Sequence, residues 1–226
     1  MRLWSYGWCV SGLLLLCGCV TEETSDTTFA FAGDDSAEAS TSLESRIKVL
    51  ERRIEALPER IDLRAQLAQL YFDDEKYEKA IETIEEAIQK DPENARLYQI
   101  LGDFYVYMNR FADAEVNYRK VVQYSKPGFT GPHLALGYVL AMQEKYPEAV
   151  EEFKKVLLLQ PNMPTALYYL GSCYDVMGQR DKAMEYFQKC AEIRSPYQKK
   201  AKQELARLRL LSTREGKPPT SSSKDG

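Results

Sequence analysis

A single histidine in 226 residues leaves no material for a His-rich metal site or a His-based catalytic relay. No apolar run reaches the roughly 20 residues that a membrane-spanning helix needs. Neither sign of charge dominates: 30 basic and 34 acidic residues leave a net charge of −4, which argues against the basic footprint of a nucleic-acid binder. No Gly-rich phosphate loop, G-x-S-x-G elbow or H-E-x-x-H pair occurs. These absences point to a non-enzyme with no cofactor and no metal. What is present is ordinary for a soluble domain. The sequence is 44% hydrophobic and 28% charged, neither disordered throughout nor built of several membrane spans.

The charge is unevenly placed. Residues 20–42 carry Glu22, Glu23, Asp26, Asp34, Asp35 and Glu38 with no Lys or Arg. Residues 43–212 hold 26 basic and 26 acidic residues. A neutral mixed-sign centre with acidic, Ser/Thr-rich sequence before it reads as a folded domain on a solvated tether. Ahead of the tether, Arg2 precedes an apolar run from Trp8 to Val20 that includes Leu13, Leu14, Leu15 and Leu16. That length fits the core of an export signal. The run ends in Leu16-Cys17-Gly18-Cys19, which resembles the lipobox of bacterial lipoproteins. The resemblance implies cleavage after Gly18 and acylation of Cys19. Residues 1–18 would then be the signal, and residues 19–42 an acidic tether from a lipid bilayer. Several acyl chains hold a protein on a membrane stably where one does not. Val20 after the Cys leans toward the outer membrane, facing the periplasm. An uncleaved apolar anchor and a plain secretory signal are the alternatives.

Proline reveals the organisation of the centre. Pro58, Pro92, Pro127, Pro161 and Pro196 fall 34, 35, 34 and 35 residues apart, a period that demands a test for solenoid architecture. On this register small residues align as Ala68, Gly102, Gly137 and Gly171, and again as Ala80, Ala114, Ala149 and Ala183. Leu67, Leu101, Leu136 and Leu170 form a large apolar column. Tyr71, Tyr105, Leu140 and Tyr174 form another, and Ile84, Tyr118, Phe153 and Phe187 a third. Tyr77, Phe111 and Tyr146 stand three before the second Ala in three segments.

These columns resemble the tetratricopeptide repeat (TPR). The resemblance covers residues 61–197 as four repeats, 61–94, 95–129, 130–163 and 164–197. It implies an all-α fold, a right-handed α-solenoid of helix pairs A and B. The family's Trp near the start of helix A is replaced by Arg64, Tyr98, His133 and Leu167, so His133 is read as a packing residue. Gly178 alone keeps the family's inner-turn glycine, with Asn109 a substitute. Residues 198–212 form a C-terminal capping helix built on Ala201, Leu205, Leu208 and Leu211 or Leu210, and residues 213–226 are a disordered tail. Residues 43–60 contain Leu43, Ile47, Leu50, Ile54 and Leu57 at heptad spacing. Two readings stay open, a capping half-repeat and a short coiled coil that would make a homo-oligomer. Cys173 and Cys190 are read as buried free thiols. The acidic Asp73-Asp74-Glu75 cluster is read as a solvated turn.

The family's groove columns imply a protein- or peptide-binding face. Its positions here are Asp62, Gln69, Phe72, Asp73, Arg96, Gln99, Asp103, Tyr107, Leu134, Tyr138, Met142, Tyr168, Ser172 and Asp175. Phe72, Tyr107, Tyr138 and Tyr168 would form an aromatic track. Chaperone-binding TPRs grip a terminal carboxylate with basic and Asn residues where this chain has Ala65, Gln69 and Gln99, so that mode is not expected. The expectation is a lipid-anchored adaptor in envelope assembly, secretion or pilus biogenesis. A structural oligomer with the repeats as spacers is the alternative.

Overall fold

The computed structural model describes residues 42–214. The export signal, Cys19, the acidic tether and residues 215–226 lie outside the described residues. Ten α-helices and no strand occur among those described: α1 (Leu43–Ala56), α2 (Ile61–Asp73), α3 (Tyr77–Lys90), α4 (Ala95–Tyr107), α5 (Phe111–Tyr124), α6 (Thr130–Met142), α7 (Tyr146–Leu159), α8 (Pro164–Val176), α9 (Arg180–Glu192) and α10 (Gln198–Arg214). They pack as two units that divide between Tyr107 and Met108.

In the first unit α2 and α3 form an A/B pair, flanked by α1 against α2 and α4 against α3. Ser42 caps α1, its side chain accepting from the Ser45 amide. Ile47 and Leu50 are buried at 5% and 7% exposure, and the Tyr71 hydroxyl donates to Glu51 Oε1 at 2.6 Å. The centre of the heptad seam is therefore spent on α2, where a coiled coil would have needed it for another chain. Ala68 and Ile84 are fully buried.

In the second unit α5 packs on α6, α6 pairs with α7 and α8 with α9, and α10 closes on α9. The small-residue column has a visible cause here. A Cβ built on Gly137 would stand 2.8 Å from the Phe153 ring, and one on Gly171 would stand 3.0 Å from Phe187. Each B helix thus lays a phenyl ring directly on the backbone of its A helix. Ala201, Leu205 and Leu208 of α10 are buried, and the helix runs to Arg214, past the expected end at 212.

Helix A ends the same way in three repeats. Glu75, Glu144 and Gly178 take φ of 59°, 62° and 74°. The amide that follows each one reaches back five residues, from Lys76 to Tyr71, Lys145 to Leu140 and Gln179 to Tyr174, at 2.8–2.9 Å. These are Schellman motifs. Asn109 is also left-handed at 58°. A glutamate in this conformation has Cβ crowded against its own carbonyl, which is why sequence pattern alone did not mark Glu75 and Glu144.

Two of the four positions that replace the family's Trp reach the loop before their helix. An Arg64 Nη1 donates to the Pro58 carbonyl and the Tyr98 hydroxyl to the Pro92 carbonyl at 2.9 Å. The third of these positions, His133, makes a structural contact between helices. Its Nδ1 lies 2.6 Å from Glu152 Oε2, so it ties α6 to α7 through a polar contact. Leu167 is buried. Cys173 and Cys190 are buried free thiols, and burial pushes them up to about 12 and about 11.

Candidate functional site

The helix-A positions in the first unit are mostly polar and open. Asp62 is exposed and held by Arg60 through two bonds of 2.8 Å, which lowers the Asp62 carboxyl below its usual range. Gln69 and Asp73, also exposed, are one turn apart, and Gln69 Nε2 donates to Asp73 Oδ1 at 2.9 Å. Arg96 and Asp103 are exposed and Gln99 is half-buried on α4. The apolar part is an aromatic cluster. Phe72 stacks on Phe104 at 4.1 Å between centroids and meets Tyr77 and Tyr107 edge-on at 5.1 and 5.0 Å. Phe72 is thus packed on three sides, while Tyr107 stays 49% exposed.

The second unit treats the corresponding positions differently. Leu134 is 2% exposed and Tyr168 9% exposed. Both were placed in the groove from the sequence, and both belong to the core. Tyr168 lies 5.7 Å from Phe187 and 5.3 Å from Tyr197, centroid to centroid. Burial, before the charge of Glu204, raises its phenol to about 12. Tyr138 and Met142 are half-buried. Tyr138 meets Tyr169 edge-on at 5.6 Å. Ser172 turns its hydroxyl to the Tyr168 carbonyl at 3.0 Å. Asp175 pairs with Arg207 of α10.

Three residues important to this arrangement were missed from the sequence. Tyr169 touches Tyr138, Phe153, Tyr168 and Tyr197, and burial raises its phenol strongly. Tyr197 follows the last register proline, so an aromatic beside Pro196 was the available signal. Arg207 lies outside the repeats and left none.

The second unit also holds a buried carboxylate network. Glu115 accepts from Arg119, Gln143 and Lys145 at 2.7–2.8 Å. Burial pushes the Glu115 carboxyl up, but these three donors outweigh it and hold it at about 2. Its role is to join α5 to the α6–α7 turn. Among the described residues no group of three or more His, Cys, Asp and Glu is placed to hold a metal, and no helix is long and apolar enough to cross a membrane.

Two tetratricopeptide-repeat models match the chain, one over residues 71–122 and one over residues 101–157. The chain carries tetratricopeptide repeats. A further model, Regulator of microtubule dynamics protein 1-3, matches residues 141–213. Human Protein O-mannosyl-transferase TMTC2 is 33% identical over 98 residues, 42% of this chain and 12% of that protein. The Formate-dependent nitrite reductase complex subunit NrfG of Escherichia coli O157:H7 is 26% identical over 122 residues, 53% of this chain and 61% of that one. The chain therefore spans less than two thirds of each of these relatives. Among solved structures, MamA superposes with a TM-score of 0.61 at 21% identity, covering 73% of this chain and 91% of that one. YrrB, a TPR protein with an unusual peptide-binding site, superposes with a TM-score of 0.62 at 20% identity, covering 74% and 85%. These likenesses establish the all-α TPR solenoid fold. TPR folds are typically interaction scaffolds.

Proposed function

We propose that this protein is a membrane-anchored TPR adaptor that captures a protein or peptide on the helix-A face of its repeats, in cell-envelope assembly, secretion or pilus biogenesis. The observation that carries the binding half is Tyr107, a large aromatic left 49% exposed beside a packed aromatic cluster. Such a ring offers area at low rotamer cost, with polar Gln69, Asp73 and Asp103 on the same helices to fix orientation. The YrrB fold carries a peptide-binding site, and NrfG is a subunit of a complex, which agrees with a role in assembly. The anchoring half rests on Leu16-Cys17-Gly18-Cys19. Acyl chains on Cys19 would hold the chain to a bacterial envelope membrane, with Val20 favouring the outer one.

Capture from envelope extract tests the binding half. Tyr107→Ala should cost about 2 kcal/mol of partner affinity with helicity unchanged. Tyr138→Ala should cost less, because Tyr138 is already half-covered by Tyr169. Reversing Lys154 and Lys155, exposed on a B helix, should leave capture intact. Loss of capture with the lysine pair and not with Tyr107 would place binding on the other face. For the anchor, Cys19→Ser should abolish fatty-acid labelling of the chain, and labelling that persists refutes the acylation site.

A further inference from the structure

We infer that the outward face of α10 is a docking surface for an anionic lipid bilayer. This inference does not depend on acylation of Cys19. The helix, QKKAKQELARLRLLSTR, carries six basic residues and one acidic residue. Its apolar stripe, Ala201, Leu205 and Leu208, is spent on the body of the second unit. At 100° per residue, Lys199 and Leu210 stand opposite that stripe, Lys200 and Lys202 flank them on either side, and Arg209 lies toward α9; all four cations are exposed. Leu210 stands among them at 63% exposure.

The charge balance of this helix is unlike that of the B helices of the same unit. On α5, α7 and α9, Arg119 pairs with Glu115 and Glu148, Lys154 with Glu151, Lys155 with Glu152 and Lys189 with Glu185. On α10 the one carboxylate, Glu204, is bound by Arg207, which also holds Asp175. Two of the remaining cations have neutral partners. Lys200 Nζ sits 5.9 Å over the Tyr197 ring, and Arg209 donates to Gln188 Oε1 at 3.1 Å. Positive charge is therefore concentrated on one helix of a protein whose net charge is −4. Clusters of four or more Lys and Arg on a helix suit anionic lipid headgroups, each cation adding attraction within a Debye length of the surface. An exposed leucine between flanking lysines can enter the headgroup layer, as apolar residues of interfacial helices do.

The test is partitioning of the full chain onto vesicles of phosphatidylglycerol and phosphatidylcholine mixed, against vesicles of phosphatidylcholine alone. The ratio of the two partition coefficients is the readout, because any apolar insertion elsewhere in the chain contributes to both. The wild type should prefer the anionic vesicles by about tenfold or more, less at high salt. Reversal of Lys199, Lys200, Lys202 and Arg209 to Glu should bring the ratio to one or below. Neutralising the same four to Gln should give an intermediate ratio, and serves if the reversals unfold the helix by circular dichroism. Reversal of Lys48, Lys79, Lys154 and Lys155, exposed on other helices, makes the same change in net charge and should keep the preference. A wild-type ratio of one, or an equal loss in both reversal sets, overturns the inference. So does binding of poly-glutamate at these four residues without any vesicle preference, which would make the face a polypeptide site.

Discussion

The two units use one repeat pattern to opposite ends. In the first, helix-A positions facing the expected groove are occupied by Asp62, Gln69, Asp73, Asp103 and Tyr107, all exposed. In the second, Leu134 and Tyr168 are core residues, Tyr138 is half-covered, and Asp175 is engaged by Arg207. The packing beneath differs as well. Ala68 and Ile84 take the small and large positions of the α2–α3 pair in the first unit, where α6–α7 and α8–α9 of the second set Gly137 under Phe153 and Gly171 under Phe187. A glycine admits a ring where an alanine admits only an aliphatic chain, so volume is conserved across the column while its shape changes. A repeat family thus keeps its register under quite different side-chain chemistry.

The comparison is sharpest at the glycine–phenylalanine pair. Phe153→Ala should cost about 3–5 kcal/mol by urea unfolding, as a cavity replaces a fully buried ring. Gly137→Ala should cost about 1–3 kcal/mol in the wild type, since its Cβ would meet the Phe153 ring. In the Phe153→Ala background the same substitution should stabilise. If Gly137→Ala has the same sign in both backgrounds, the ring is not what requires the glycine.

A smaller effect separates the units by pH. Glu115→Gln should cost about 2 kcal/mol at pH 7, because Lys145 and Arg119 lose a partner that is largely buried. The Glu115 carboxyl is held at about 2 in the folded chain against an ordinary value of 4.5. Its contribution is complete above the unfolded value and is lost as pH falls from there toward 2. The difference between wild type and Glu115→Gln should therefore close over that window. A difference that stays constant from pH 7 to pH 2 would mean that the charge of Glu115 is irrelevant.

The smallest effect is one in which the units should agree. Glu75→Gly and Glu144→Gly each relieve a left-handed residue, and each should stabilise by about 1 kcal/mol. Gly178→Ala should destabilise by a similar amount. Thermal melting of the three variants would show whether the turns are equivalent. Opposite signs for Glu75→Gly and Glu144→Gly would break the common-turn reading.

The all-α TPR architecture was legible in the sequence because a solenoid writes its packing at a fixed period. Pro58 through Pro196 mark the loops, and the columns from Ala68 to Gly171 mark where helices touch. Contacts of that kind recur at constant separation along the chain, so one sequence holds several copies of the same constraint. The candidate site was legible only in part. Tyr107 and Asp103 sit exposed on α4, where the repeat columns put them. Leu134 and Tyr168 do not remain exposed, and part of what covers Tyr168 comes from outside the helix pairs. Tyr197 in the loop before α10 covers Tyr168, and Arg207 within α10 reaches Asp175. Glu75 and Glu144 entered a glycine conformation because the Schellman bonds of the turn and the packing of the pair it joins hold them there. Periodicity alone thus determined which residues face inward within a repeat. Which outward-facing residues remain open to a partner was decided by the segments that fold back over them, and such segments occur once and leave no period to read.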